Sequence, residues 1–161
     1  MKTNFLKFIA IMLIFAGSFS ACNKISELKN DNQVVNEPIS LKNTKWKLVG
    51  FVDVVADTMK IAEPESEKCY ILSFDNERTL SGVGCANTLS GNYDINYNTN
   101  NINILIWNTT EINHLFDEKL YLETLNIIQS FYVQGKELKL YYNDNKNYLL
   151  YKLIGGTNHE N

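Results

Sequence analysis

Cys22 stands in the sequence context that most clearly suggests a chemical modification. It follows Phe19-Ser20-Ala21, so a small residue lies directly before the cysteine and an apolar residue lies three positions before it. A cysteine sulfur is the nucleophile that can accept a lipid group. The pattern is typical of bacterial lipoprotein processing. It predicts that residues 1–21 are removed and that Cys22 becomes the acylated first residue.

The segment before Cys22 has the composition of an export signal. Lys2 and Lys7 supply positive charge, and residues 8–16 form an apolar run. This run is shorter than the roughly 20 residues that cross a bilayer, which disfavours the alternative of a permanent transmembrane helix. Two or more acyl chains hold a protein stably at a membrane. We therefore expect a lipid-anchored protein of the cell envelope, in the outer membrane and facing the periplasm or the cell surface.

Cys69 and Cys85 are the cysteines that remain when Cys22 carries lipid. Disulfides persist in an envelope compartment, and the sequence between these two residues resembles a hairpin, which would place them on neighbouring strands. The alternative is a pair of buried free thiols, since cysteine is often a small core residue. The sequence leaves both states open.

No group of residues in the sequence predicts catalysis or a metal. His114 is the one histidine of the expected domain, whereas metal sites usually need several ligands at tight spacing. Cys85 and His114 are the one conceivable nucleophile–base pair, and no motif orients them. Asp117, Glu118 and Glu123 are interpreted as a solvated helix face. We expect a protein that is not an enzyme, with no catalytic residues, no metal and no cofactor.

The composition argues against nucleic acid as a partner. Hydrophobic residues make up 45% and aromatic residues 12% of the chain, as expected for a packed domain. The formal charge of −3 includes Lys2 and Lys7, so it becomes −5 when these two residues leave with the signal. An acidic chain without a segment rich in lysine or arginine lacks the electrostatic footprint of a nucleic-acid-binding protein.

Four regions are predicted along the chain. They are a lipoprotein signal peptide (1–21), a flexible tether from lipidated Cys22 (22–42), a folded domain (43–154) and a polar tail (155–161). The tether is polar and has no regular periodicity. Within the domain, apolar residues alternate with polar ones, as Tyr93, Ile95 and Tyr97 do, which is the period of half-buried strands.

One segment of the domain has the period of a helix. From Asp117 to about Ile128, the apolar residues Tyr121, Leu125 and Ile128 fall at i, i+4 and i+7, and Asp117 is a suitable N-cap. Several strands precede this segment and three follow it. The order predicts a mainly β (α+β) fold, either a curved antiparallel sheet or a cracked β-barrel, closed by one α-helix.

Tyrosines are concentrated in the last third of the domain. They cannot all point inward from adjacent strands, so some must be exposed or line a cavity, where tyrosine offers contact area together with a polar group. The candidate binding surface consists of Tyr121, Tyr132, Tyr141 and Tyr151. Ordinary cross-strand pairing of these rings is the alternative.

Three segments, in order, resemble the META/HslJ family of bacterial envelope proteins. Residues 44–50 resemble its opening strand, residues 80–93 its Gly-Cys-Asn and Ser-Gly-x-Tyr core, and residues 131–140 its Gly-x-x-Leu-x-Leu hairpin. The chain departs from that pattern by an extra Ala86 and by lacking a second cysteine near residues 109–111. The resemblance covers residues 43–153. It implies a cracked antiparallel β-barrel with a helix packed across it, a link to envelope stress, and no established catalytic activity.

These features together predict a non-enzymatic envelope lipoprotein that binds an apolar or protein ligand and supports envelope integrity or the stress response. A structural or accessory subunit of a cell-surface complex is the alternative. The expected partners are the membrane, through the N-terminal acyl chains, and a protein or lipid.

Overall fold

The computed structural model describes residues 40–110 and 113–156. These residues form one nine-stranded antiparallel sheet and a single short helix. The elements, in chain order, are β1 (Thr44–Asp53), β2 (Thr58–Ile61), β3 (Ile71–Phe74), β4 (Thr79–Val83), β5 (Thr88–Asn96), β6 (Asn101–Thr109), α1 (Glu118–Leu125), β7 (Ser130–Gln134), β8 (Glu137–Tyr142) and β9 (Asn147–Gly156). The expected mainly β fold with one helix is therefore confirmed. The signal peptide, Cys22 and most of the predicted tether lie outside the described residues.

β1 organises the sheet because it pairs with three other strands. One edge pairs with β9 along its whole length, and the other edge is divided between β3, beside residues 44–47, and β2, beside residues 50–53. The remaining strands follow in chain order, from β3 through β4, β5 and β6 to β7, β8 and β9. The curved sheet thus returns to its own first strand.

The junction between β6 and β7 is the weakest of the ladder. The two strands share one residue pair, Asn101 with Ser130. Beyond it, the segment after α1 takes the place of a strand partner: the backbone N–H of Ile102 donates to the carbonyl oxygen of Gln129 at 3.1 Å, and that of Ile106 donates to Oδ1 of Asn126 at 2.9 Å. The helix and the turn after it therefore lie against the edge of β6.

Alternating residues of the strands fill the core, as their period predicted. Tyr70, Leu72 and Phe74 are fully buried along one face of the chain. Tyr121 of α1 contacts Tyr70 edge to face, with ring centroids 5.4 Å apart. A fully buried large side chain contributes about 1.5–3 kcal/mol relative to an exposed one, so this row and the buried face of α1 are a main source of stability.

The structure corrects the predicted boundaries of the domain. Leu41 is fully buried, although it falls in the predicted tether, and Thr44 Oγ1 donates a hydrogen bond to its carbonyl oxygen. Gly155 and Gly156 belong to β9 and pair with the start of β1, although they fall in the predicted tail. β2 was not predicted, because all four of its residues are exposed and such a strand has no alternating pattern to detect.

The start of α1 agrees with the prediction in its position but not in its side-chain hydrogen bonds. Asp117 precedes the helix but makes no capping hydrogen bond with its side chain. Its Oδ2 instead accepts a hydrogen bond from the backbone N–H of Glu63 at 2.9 Å and forms an ion pair with Lys60. Asp117 therefore occupies the predicted N-cap position, but its side chain ties the helix to the chain after β2 instead of capping the helix N-terminus. The regular helix ends at Leu125, before the expected end at Ile128.

Candidate functional site

The four predicted surface tyrosines do not form one surface. Tyr121 and Tyr151 are 0% exposed, whereas Tyr132 is 45% exposed and Tyr141 is partly exposed beside Tyr148, with ring centroids 5.2 Å apart. The prediction was wrong for Tyr121 and Tyr151. Tyr121 lies on the apolar face of α1, and Tyr151 follows buried Leu149 by two positions on β9, so both must point inward.

The hydroxyl groups of the two buried tyrosines face each other. Neither the hydroxyl of Tyr121 nor that of Tyr151 has a hydrogen-bond partner of acceptable geometry within the described part of the chain. Burial raises the pKa of both phenols well above the ordinary value of 10.0. The pair is thus a neutral and poorly satisfied polar group in the core, and it offers no surface to a ligand.

Cys69 and Cys85 form a disulfide. Cys69 lies two residues before β3 and Cys85 two residues after β4, and the register of these strands pairs Ile71 with Val83. Their Cα atoms are 4.5 Å apart, so the cysteines lie across neighbouring strands, as the hairpin pattern indicated. Because Cys85 is bonded, it supplies no thiolate for a nucleophile–base pair.

Glu118 is fully buried, and its interpretation as part of a solvated helix face was wrong. Its Oε1 accepts hydrogen bonds from three successive backbone N–H groups, those of Cys85 at 2.8 Å, Ala86 at 3.1 Å and Asn87 at 2.7 Å. Gly84 permits this approach, because a Cβ atom there would lie 2.0 Å from Oε1. The loop after β4 thus encloses a carboxylate of α1 as it would enclose a bound anion.

The second oxygen of Glu118 joins this loop to two further segments. Oε2 accepts hydrogen bonds from Asn87 Nδ2 at 3.1 Å and from the backbone N–H of Leu115 at 3.2 Å, and His114 Nδ1 lies 3.7 Å away. Thr110 Oγ1, just after β6, donates to Asn87 Oδ1 at 2.9 Å. We call Glu118, residues 84–87, Thr110 and His114 the carboxylate hub.

These contacts keep Glu118 ionised despite its burial. Burial alone raises the pKa of the carboxyl group, but the hydrogen bonds from Asn87, Leu115 and Cys85 together outweigh this effect. The pKa of Glu118 therefore lies below its ordinary value of 4.5. A buried carboxylate that accepts several hydrogen bonds is satisfied only while each donor stays in place.

A cleft of about 330 Å³ opens between β6 and α1 beside the hub, and we call it the α1–β6 cleft. Its lining combines apolar and charged groups from both elements with one hub residue: Ile106, Trp107, His114, Lys119, Leu122 and Glu123. Trp107 is 60% exposed, and Leu105, two positions earlier on β6, is 58% exposed. Large exposed apolar side chains on a strand edge are characteristic of a contact surface.

His114 is the one histidine among the residues that line the cleft. The imidazole of His114 has the Glu118 carboxylate beside it, as in many acid–base pairs, and Cys85 is held in the disulfide. No group of three or more histidine, cysteine, aspartate or glutamate residues suited to a metal occurs in residues 40–110 and 113–156. Among the same residues, no helix is long and apolar enough to span a membrane.

The sequence contained a signal for the burial of Glu118. Glu118, Tyr121, Leu122 and Leu125 stand at i, i+3, i+4 and i+7, which places the glutamate on the apolar face of the helix. A charged residue in that position needs a set of hydrogen-bond donors. The sequence signal for the exposure of Trp107 was weaker, because an aromatic residue in a strand is usually a core residue.

Comparisons with known proteins found a similar lipoprotein sequence and a similar fold. A predicted lipoprotein of Tannerella forsythia is 29% identical over 144 residues, which cover 89% of this chain and 90% of the relative. The crystal structure of a DUF4847 family protein from Bacteroides vulgatus matches with a TM-score of 0.55 and 14% identity, over 72% of this chain and 95% of that one. At this identity the match shows a shared fold alone. No protein-family profile matches the sequence.

Proposed function

We propose that this chain is a lipid-anchored protein of the bacterial cell envelope that binds a protein partner at the α1–β6 cleft. Two observations support the anchor: the processing pattern that ends at Cys22, and similarity to a predicted lipoprotein over nearly the whole chain. The exposed indole of Trp107, on the rim of the cleft, carries the proposal of binding. The protein has no catalytic role in this proposal.

A protein ligand fits the surface better than an apolar molecule held inside the sheet. The inward positions of the strands are filled by packed side chains, Trp46, Leu72 and Leu138 among them, each 0–1% exposed. A pocket for a small molecule is usually a concavity that buries most of its ligand, whereas the α1–β6 cleft is open to solvent. Exposed tryptophan is among the residues that contribute most to protein interfaces.

The edge of β6 adds a second reason to expect a protein. Because β6 shares a single residue pair with β7, much of that edge is contacted by side chains and by the turn after α1 instead of by a strand. Trp107 and Leu105 are exposed on this strand, and natural proteins usually cover or charge such an edge. A partner that covers Trp107 would remove this exposed apolar surface from water.

A structural or accessory subunit of a cell-surface complex is the second candidate. The filled core and the exposed apolar side chains of β6 favour it, since a subunit needs a contact surface and no cavity. We also infer a distant relationship to the META/HslJ family and a role in envelope integrity or stress. The order of the three motifs supports this relationship, and a crystal structure with the strand order of that family would test it.

The anchor is tested by replacing the sulfur. We expect Cys22→Ser to move the protein from the membrane fraction to the soluble fraction, because no acyl chain can be attached. The neighbouring change Asn23→Ser is the control and should leave the protein on the membrane. Retention of the Cys22→Ser protein on salt-washed membranes would contradict the anchor.

The binding surface is tested by quantitative capture from native membranes. We expect Trp107→Ala to lose the partners that the unchanged protein retains, because the indole forms the rim of the cleft. Tyr132→Ala removes an exposed aromatic residue of the tyrosine set and should retain them. Loss with Tyr132→Ala and retention with Trp107→Ala would place binding on the tyrosine face and reject the cleft.

A further inference from the structure

The disulfide and the α1–β6 cleft are connected through one carboxylate. Cys85 is bonded to Cys69, and its own N–H is one of the three that Glu118 Oε1 accepts. Glu118 Oε2 lies against His114, which lines the cleft. The covalently fixed cysteines, Cys69 and Cys85, are therefore connected to the cleft through a single buried side chain, that of Glu118.

A second branch of the path reaches the β6 wall of the cleft. Asn87 binds Glu118 through its side chain and its backbone, and it accepts a hydrogen bond from Thr110. Thr110 Oγ1 also accepts a hydrogen bond from the N–H of Thr88 at 3.1 Å. The end of β6, and with it the strand that bears Trp107, is held by the same loop that the disulfide fixes.

We propose that the oxidation state of the Cys69–Cys85 disulfide controls the shape of the α1–β6 cleft, with Glu118 as the positioning residue that transmits it. The inference rests on the proposed function only in that the cleft is the binding site. In the oxidised protein the loop holds the Glu118 carboxylate and both walls of the cleft. In the reduced protein the loop is free to move and the walls move with it.

The reductant in this step is a dithiol, either a small molecule or a thioredoxin-like protein. Its thiolate attacks the sulfur of Cys85, which is the less buried of the two cysteines, and Cys69 leaves as a thiolate that takes up a proton. The second thiol of the reductant then displaces Cys85 from the mixed disulfide. Two electrons pass to the protein, which gains two thiols, and the dithiol becomes a disulfide.

Glu118 must move with the loop, because a buried carboxylate that loses its hydrogen-bond donors strongly destabilises the folded state. Three of its hydrogen bonds come from consecutive residues of the loop, whereas Leu115 lies next to α1 itself. If the loop shifts, the helix start shifts with it or the carboxylate turns toward the cleft. Either response changes the surroundings of Trp107, while the strand ladder between β3 and β4 stays intact.

Fluorine NMR of the acylated protein in detergent micelles tests the proposal, with both tryptophans replaced by 5-fluorotryptophan. The chain has two tryptophans, Trp107 at the cleft and Trp46, which is 1% exposed in the core. On reduction with dithiothreitol we expect the Trp107 resonance to shift and that of Trp46 to stay. Amide exchange of residues 85–87 should become at least about tenfold faster, as for a locally opened segment.

The double variant Cys69→Ser with Cys85→Ser is the control. Its Trp107 resonance should have the chemical shift found in the reduced protein, and dithiothreitol should not change it. If both resonances of the unchanged protein move, the disulfide supports the whole domain and the proposal fails. If the Trp107 resonance stays, the loop does not reach the cleft and the proposal also fails. The readout needs no ligand, so neither result depends on whether a partner binds at the cleft.

Discussion

Replacing Glu118 by glutamine should destabilise the domain although the change is nearly isosteric. The amide keeps one acceptor for the N–H groups of Cys85, Ala86 and Asn87, but its NH₂ takes the place of Oε2. That group then faces two donors, Asn87 Nδ2 and the N–H of Leu115. A buried donor without an acceptor costs about 1–3 kcal/mol, so Glu118→Gln should lower the free energy of unfolding by about 2–6 kcal/mol.

Urea denaturation of the purified protein measures this loss, and Glu123→Gln is the matched control. Glu123 lies on the same helix, its side chain is 66% exposed, and its contact is an ion pair with Lys119 at 3.8 Å. Exposed pairs of this kind contribute well under about 1 kcal/mol. If the two variants unfolded at the same urea concentration, the buried carboxylate would not hold the loop, and our account of the hub would be refuted.

The pH dependence of stability gives an independent readout of the same group. The pKa of Glu118 is lower in the folded protein than its ordinary value of 4.5, despite the opposing effect of burial, because of the hydrogen bonds to the carboxylate. A group of this kind stabilises the folded state above its unfolded pKa, and the contribution is lost as the pH falls through the folded pKa. Stability should fall with acidification below about pH 4.5, and less steeply in Glu118→Gln.

Three further changes have defined outcomes in thermal or urea unfolding. Gly84→Ala should destabilise the protein by about 2 kcal/mol or more, because the new methyl group would meet Glu118 Oε1 at 2.0 Å; unchanged stability would mean that the loop yields easily. Tyr151→Phe should cost less than about 1 kcal/mol or even stabilise, because the buried hydroxyl facing Tyr121 has no well-formed hydrogen bond; a large loss would show that the hydroxyl is satisfied. Cys85→Ser should cost about 3 kcal/mol, from a disulfide that spans 16 residues; a loss near zero would contradict the loop-closure estimate.

The strands and the helix could be predicted because their signals are local. Alternation placed Tyr70, Leu72 and Phe74 on one face, and all three are buried. The helical spacing of Tyr121 and Leu125 likewise predicted the buried face of α1. Such periods reflect a half-buried environment that each segment meets wherever it lies in the sheet.

The hub could not be predicted because its contacts are distant in sequence. Glu118 binds N–H groups more than 30 positions earlier, and a backbone N–H leaves no mark in the sequence. The tyrosine surface failed for a related reason. Composition alone suggested that some tyrosines must be exposed. The direction in which each ring points is instead set by the period of the strand or helix that carries it, and this places Tyr151 in the core and Tyr132 on the surface.

The pairing of β1 with β9 has a consequence for how the chain reaches its destination. These strands lie about a hundred positions apart in the sequence, and the register reaches from Thr44 beside Gly156 to Asp53 beside Asn147. Closing so long a loop is entropically costly and slows folding. β1 has no neighbour on that edge until β9 has been synthesised. For the exported protein proposed above, the sheet then stays open while β9 is being made, and an open sheet is easier for a secretion channel to thread than a closed one.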